Sequence, residues 1–161
     1  MKRLARLIAV SLPAMLCSEV ALAEPIGDLA GYWSGGGIVG LANGRTERVK
    51  CQVFYKADES ATQVRQTMRC ASADYSINAI AELRMKGGQV SGSWEEKTYA
   101  AKGDVTGRHT ADALVLTIQG ANFSAAMNVT LSRCKQSLNI SPQGLEVTRV
   151  SITLAKERCG E

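Results

Sequence analysis

The sequence predicts an all-β domain, an antiparallel up-and-down β-barrel of roughly eight to ten strands, with a two-sheet β-sandwich as the competing arrangement. Three observations predict it. From Tyr32 to Lys156 apolar and polar residues alternate with the period of a strand, and no stretch sustains the period of a helix. Asn43-Gly44 and Gly87-Gly88 each sit between two such runs, and these residue types turn a hairpin tightly because they tolerate positive φ. Each run has one apolar face, and a series of hairpins buries those faces and loses its edges by closing on itself.

The first 23 residues stand apart from that pattern. Lys2, Arg3 and Arg6 precede an apolar run from Leu7 to Leu16 broken only by Ser11 and Pro13, and Ala21-Leu22-Ala23 offers a small-x-small cleavage site before Glu24. This is the layout of a bacterial secretory signal peptide, with an apolar part too short to span a bilayer. The expectation is a leader at 1–23, a single domain at 24–161, and a periplasmic or extracellular destination. No apolar run after Ala23 is long enough for a membrane span. Lipidation at Cys17 is the alternative, disfavoured by bulky Leu16 in the position before it.

Gly31-Tyr32-Trp33 opens the first strand. Ser34-Gly35-Gly36-Gly37 then lacks the Lys-Ser/Thr and the helix of a phosphate loop, so it predicts a bulge or a close backbone approach. After the Asn43-Gly44 turn, a second hairpin folds about residues 58–63. Its register can be tested internally: pairing Cys51 with Cys70 also pairs Val53 with Met68 and Tyr55 with Gln66. That register gathers Val49, Cys51, Val53, Tyr55, Val64, Met68 and Cys70 on one face, so alternation and disulfide geometry agree. Gly87-Gly88 joins residues 75–86 to 89–98, opposing Met85 to Val90, Leu83 to Gly92 and Ala81 to Trp94. Strands follow at about 103–109, 113–118, 123–133, 137–140 and 145–156, the last pair turned by Pro142-Gln143-Gly144. Apolar parity changes from Leu145 and Val147 to Val150, Ile152 and Leu154, which predicts a bulge or bend near Thr148-Arg149.

Four cysteines remain after the leader: Cys51, Cys70, Cys134 and Cys159. An even number in an exported chain reads as two disulfides, and with Cys51 paired to Cys70 the second is Cys134 to Cys159. A simple hairpin at Pro142 sets Cys134 opposite Ser151, far from Cys159, so the chain must bend or the tail fold back. The chain is formally +4, of which Lys2, Arg3 and Arg6 against Glu19 supply half, so the mature domain is only weakly basic and a nucleic-acid partner is not expected.

Gly31-x-Trp33 at the start of the first strand resembles the lipocalins and, more loosely, the avidin-like and bacterial protease-inhibitor barrels. That resemblance implies a calycin-type barrel in which Trp33 plugs one end, under Arg149 or Arg158. Trp33 and Trp94 are the expected barrel-end and core aromatics.

Catalytic material is sparse. His109 is the only histidine and is expected at the surface near a turn, no Cys/His spacing fits zinc, and Glu95-Glu96 point to opposite faces. No serine has a triad context. The expectation is a non-enzyme without cofactor or metal. Glu96 falls on the apolar face and needs either the barrel rim or an interior partner. Arg48, Lys50, Lys56, Arg65 and Arg69 form an outward basic ladder suited to an anionic envelope component or protein. Two functions follow. The favoured one is a lipocalin-like periplasmic protein that holds a small apolar or amphipathic ligand or serves the cell envelope, with Ala79, Ala81, Gly92, Gly107 and Ala125 leaving interior room. The alternative is a protein-binding module, such as a protease or lysozyme inhibitor or a toxin immunity protein, using residues 24–30.

Overall fold

The structure, a computed structural model, describes residues 29–60 and 62–159; the expected leader and Cys17 lie outside them. Ten strands follow one another: β1 (Gly31–Leu41), β2 (Thr46–Ala57), β3 (Gln63–Ala71), β4 (Ser76–Lys86), β5 (Gln89–Glu96), β6 (Ala101–His109), β7 (Ala113–Gly120), β8 (Ser124–Ser132), β9 (Lys135–Gln143) and β10 (Val147–Lys156). Each pairs antiparallel with its neighbours in the chain, and β1 also pairs with β10, which closes the barrel. Closure satisfies the outer backbone groups of both end strands, the feature that a sandwich would lack. Among the described residues, no helix is long and apolar enough to cross a membrane.

Alternation sets the registers. β2 buries Val49, Cys51, Val53 and Tyr55 while exposing Arg48, Lys50, Gln52 and Lys56. A slip of one residue would exchange the two sets, so the pairing to β3 is fixed at Cys51 opposite Cys70. The β4–β5 register is equally the one read from the sequence, with Gly87 and Gly88 both at positive φ in a two-residue turn. The Asn43-Gly44 turn differs. Only Gly44 has positive φ, its N–H bonds the Leu41 carbonyl at 3.0 Å, and Asn43 instead accepts the Arg45 amide through Oδ1 at 3.0 Å.

Pro142 does not make the last turn. It lies inside β9 opposite Ala125 of β8, beyond Ile140, where pairing with β10 has already stopped, so its missing N–H is not needed for that ladder. The bend falls at 144–146 with Gly144 at φ +82°. This shifts the β9–β10 register until Lys156 N–H bonds the Cys134 carbonyl at 2.9 Å, which brings Cys159 within reach. The two cysteines are bonded with their Cα atoms 5.6 Å apart, and no folding back is required. The expected bulge is present: Gly40 faces Arg149 but Leu41 faces Val147, leaving Thr148 over, with its hydroxyl on the Gly40 carbonyl at 3.2 Å.

The glycine run of β1 is paired without interruption to both neighbours, so it is a close approach and not a bulge. A Cβ on Gly35 would stand 2.1 Å from the Thr153 carbonyl oxygen, and one on Gly37 2.0 Å from that of Ser151. Glycine therefore permits the tight coiling of the closing strand.

Inside, Leu29, Trp33, Val53, Leu138 and Leu154 form part of one continuous core. Tyr55, Gln136 and Gln66 cross it as a polar bridge. The Tyr55 hydroxyl lies 3.2 Å from Gln136 Oε1 and 3.0 Å from its Nε2, and accepts Gln66 Nε2 at 3.1 Å. Burial pushes the Tyr55 phenol up to about 12 despite these bonds, so it stays neutral.

Candidate binding surfaces

At the lower end, where β1 begins, Trp33 is buried and its Nε1 donates to the Leu29 carbonyl at 2.8 Å. Lys156 stands over the ring with Nζ 5.5 Å from the centroid. The resemblance had assigned that place to Arg149 or Arg158, but Arg149 pairs at the opposite end of β10 with Gly40, and Arg158 is exposed. Leu29, two residues before β1, is itself buried and helps fill this end of the barrel. Trp94 is only half-buried, edge-on to Phe123 at 5.8 Å beside an interior space of about 30 Å³. The small residues Ala79, Ala81 and Ala125 are buried, and of the three only Ala81 borders that space.

His109, expected outside, faces inward at the end of β6 and is 9 % exposed. Strand parity overrides the turn beside it. Its Nδ1 has no hydrogen-bond partner among the described residues. Glu96 lies at the upper rim and is 3 % exposed. Its Oε1 accepts the Asn78 and Thr98 amides at 2.8 and 2.9 Å, and its Oε2 the Tyr99 amide at 2.6 Å. Burial raises its pKa, but the three backbone donors outweigh burial and hold the carboxyl below the usual carboxylate range. Glu96 thus knits the β5–β6 turn to β4. Among the described residues no group of three His, Cys, Asp or Glu side chains could hold a metal ion.

The upper end is different from the lower. Val39, Met68, Ile77, Ile140 and Val150 face inward yet are only half-buried, because they surround an apolar space of about 100 Å³. The Cys51–Cys70 disulfide, Cα atoms 4.1 Å apart, braces its wall. Above lies a polar rim. Glu47 accepts the Ser72 hydroxyl at 2.8 Å, Arg45 reaches Asp74 at 3.9 Å, and Glu146 and Tyr75 complete the opening. Sequence reading missed this mouth because its residues come from six strands and share no local spacing.

The basic ladder is on the outer face as expected from alternation, with Arg48, Lys50, Lys56, Arg65 and Arg69 all exposed. The five are not equivalent. Arg65 is bonded to Glu82 of β4, whereas the other four have no ion pair among the described residues. Tyr32 and Phe54 stack beside them across β1 and β2, ring centroids 4.3 Å apart.

In sequence the chain matches no family model and no curated protein. In structure it is similar to other β-barrel proteins. The crystal structure of Rv2717c from M. tuberculosis superposes with a TM-score of 0.60 at 16 % identity, over 81 % of this chain and 93 % of that one. The S-type phycobiliprotein lyase CPES from Guillardia theta superposes with a TM-score of 0.56 at 12 % identity, over 82 % and 90 %. At such identities the likeness shows the fold alone.

Proposed function

We propose that this is an exported, non-enzymatic binding protein that takes a small amphipathic ligand at the upper mouth of its barrel. The observation that carries the reading is the ring of half-buried aliphatic side chains around the space of about 100 Å³, topped by a polar rim. Apolar surface left facing an enclosed space is stabilised when a ligand replaces water there. Glu47, Asp74 and Glu146 against Arg45 make the rim acidic, which favours a cationic or hydroxyl head group over an anionic one. The reading keeps a periplasmic setting, supported by the leader-like residues 1–23 and by the two disulfides. The inhibitor alternative has less support, since Leu29 is buried in the barrel rather than presented to a partner.

The test is binding of alkyltrimethylammonium and alkyl sulfate of equal chain length, followed by calorimetry. The ammonium compound should bind more tightly, Glu47→Ala should remove that preference, and Met68→Trp should weaken both at least tenfold by filling the space. Equal binding by Met68→Trp, or none by the wild type, would overturn the reading.

A further inference from the structure

The outer face carries a second surface, independent of the mouth. A groove of about 390 Å³ runs over β2, β3 and β4, lined by Lys50, Gln52, Arg69, Ser76 and Asn78, with Thr98 from the β5–β6 turn. Gln52, Arg69 and Asn78 are direct cross-strand partners, and Ser34 of β1 continues the same row. Four residues in a row span about 14 Å at ordinary strand spacing. The next row, two residues along the strands, is Tyr32, Phe54 and Thr67.

We propose that this groove binds an acidic glycan, with Arg69 and Lys50 on its carboxylates, Gln52 and Asn78 on its hydroxyls, and the Tyr32–Phe54 pair against the apolar face of a sugar ring. Three features of the groove favour that occupant. First, Lys50 and Arg69 make no ion pair among the described residues and no carboxylate lines their groove, while the neighbouring outer trough holds Glu82, bonded to Arg65, and Asp58 beside its cations. Anionic groups would therefore be drawn more strongly to the first. Second, alongside apolar Ala71 and Ile77 the lining carries the amides of Gln52 and Asn78 and the hydroxyls of Ser76 and Thr98. These suit the alternating donors and acceptors of a sugar, and they would oppose burial in a bilayer. Third, Tyr32 is 60 % exposed yet stacked on Phe54, a fixed flat platform rather than a prong for insertion.

The array is also held rigid. The Cys51–Cys70 bond joins the two strands that present Lys50 and Arg69, and Glu96 holds the backbone of Asn78. Little ordering is then left to oppose binding. A guanidinium matches a planar carboxylate with two parallel bonds, which an ammonium cannot do.

Oligogalacturonate is the probe, with a maltooligosaccharide of the same length and phosphatidylglycerol vesicles as separate arms. Wild-type protein should bind oligogalacturonate and leave the neutral sugar and the vesicles unbound. Arg69→Ala and Arg69→Lys should each weaken binding about tenfold, Lys50→Ala and Tyr32→Ala several-fold, and Lys135→Ala on β9, across the barrel, not at all, with thermal midpoints unchanged. Absence of oligogalacturonate binding, vesicle binding of equal strength, or an equal loss in Lys135→Ala would overturn the proposal. The alkylammonium assay reads the mouth separately, so either surface can fail without the other.

Discussion

Replacing Glu96 by glutamine changes one atom and should unsettle the upper rim. The carboxylate accepts three backbone N–H groups, two on Oε1 and one on Oε2, in a site 3 % exposed. A glutamine can keep the pair on its single oxygen. Its NH₂ would then face the Tyr99 amide, donor against donor. Losing one charge-assisted bond and stranding that amide costs about 2–3 kcal/mol. For a domain of this size that is a fall of about 10 °C in thermal midpoint. The pH dependence gives a second, sharper reading. The folded carboxyl titrates below its unfolded value of about 4.3, so its contribution is present above that pH and is lost as pH falls through the lower folded value. Denaturant unfolding of wild type and Glu96→Gln at pH 7 and at pH 3 should therefore show a gap that narrows on acidification. A gap within error at pH 7, or one of constant size at both, would refute the account of Glu96 as an ionised knot.

Two other outcomes concern the covalent and aromatic braces. The Cys51–Cys70 bond closes a segment with a sequence separation of 19. Loop-closure entropy puts its stabilisation at about 3 kcal/mol, to be read by denaturant unfolding of a double alanine variant, and peptide mapping without reductant should link Cys51 to Cys70 alone. Trp33→Ala should destabilise by about 3–5 kcal/mol, since the ring is buried and holds Leu29, whereas Trp94→Ala, at a half-buried position, should lose less; equal losses in a melting assay would contradict their different burial.

Much of the barrel was legible in the chain because strands have a period of two and a disulfide has a fixed reach. The pair Cys51 and Cys70 tied those two constraints together, and Gly87-Gly88 fixed the next register by turn chemistry alone. Parity also exposed the bulge at Thr148. Pro142 misled for a local reason: it signals a turn wherever a strand needs its N–H, and only the tertiary neighbours reveal that the β10 ladder has ended before it. The bridge of Tyr55 with Gln136 was hidden in the same way. The two residues lie 81 positions apart, and a buried glutamine is written in sequence like an exposed one. His109 looked peripheral beside its turn, yet strand alternation carried it inward. For the function, the basic ladder could be read from alternation, but not the countercharge of Glu82 on Arg65, which depends on a third strand.

The pairing of β1 with β10 has a consequence for how the molecule is made. Every other ladder joins strands adjacent in the chain and can zip as soon as its hairpin emerges, but the seam joins residues more than a hundred positions apart. Until β10 arrives, β1 and the most recent strand each offer an open edge, and a chain interrupted before Val147 has no means of covering them. The seam therefore makes closure of the barrel depend on the last strand. A chain that folds from its first strand onward would remain unsealed, and so pliable, until β10 pairs. The bond between Cys134 and Cys159 then locks the arriving strand to its neighbour on the far side.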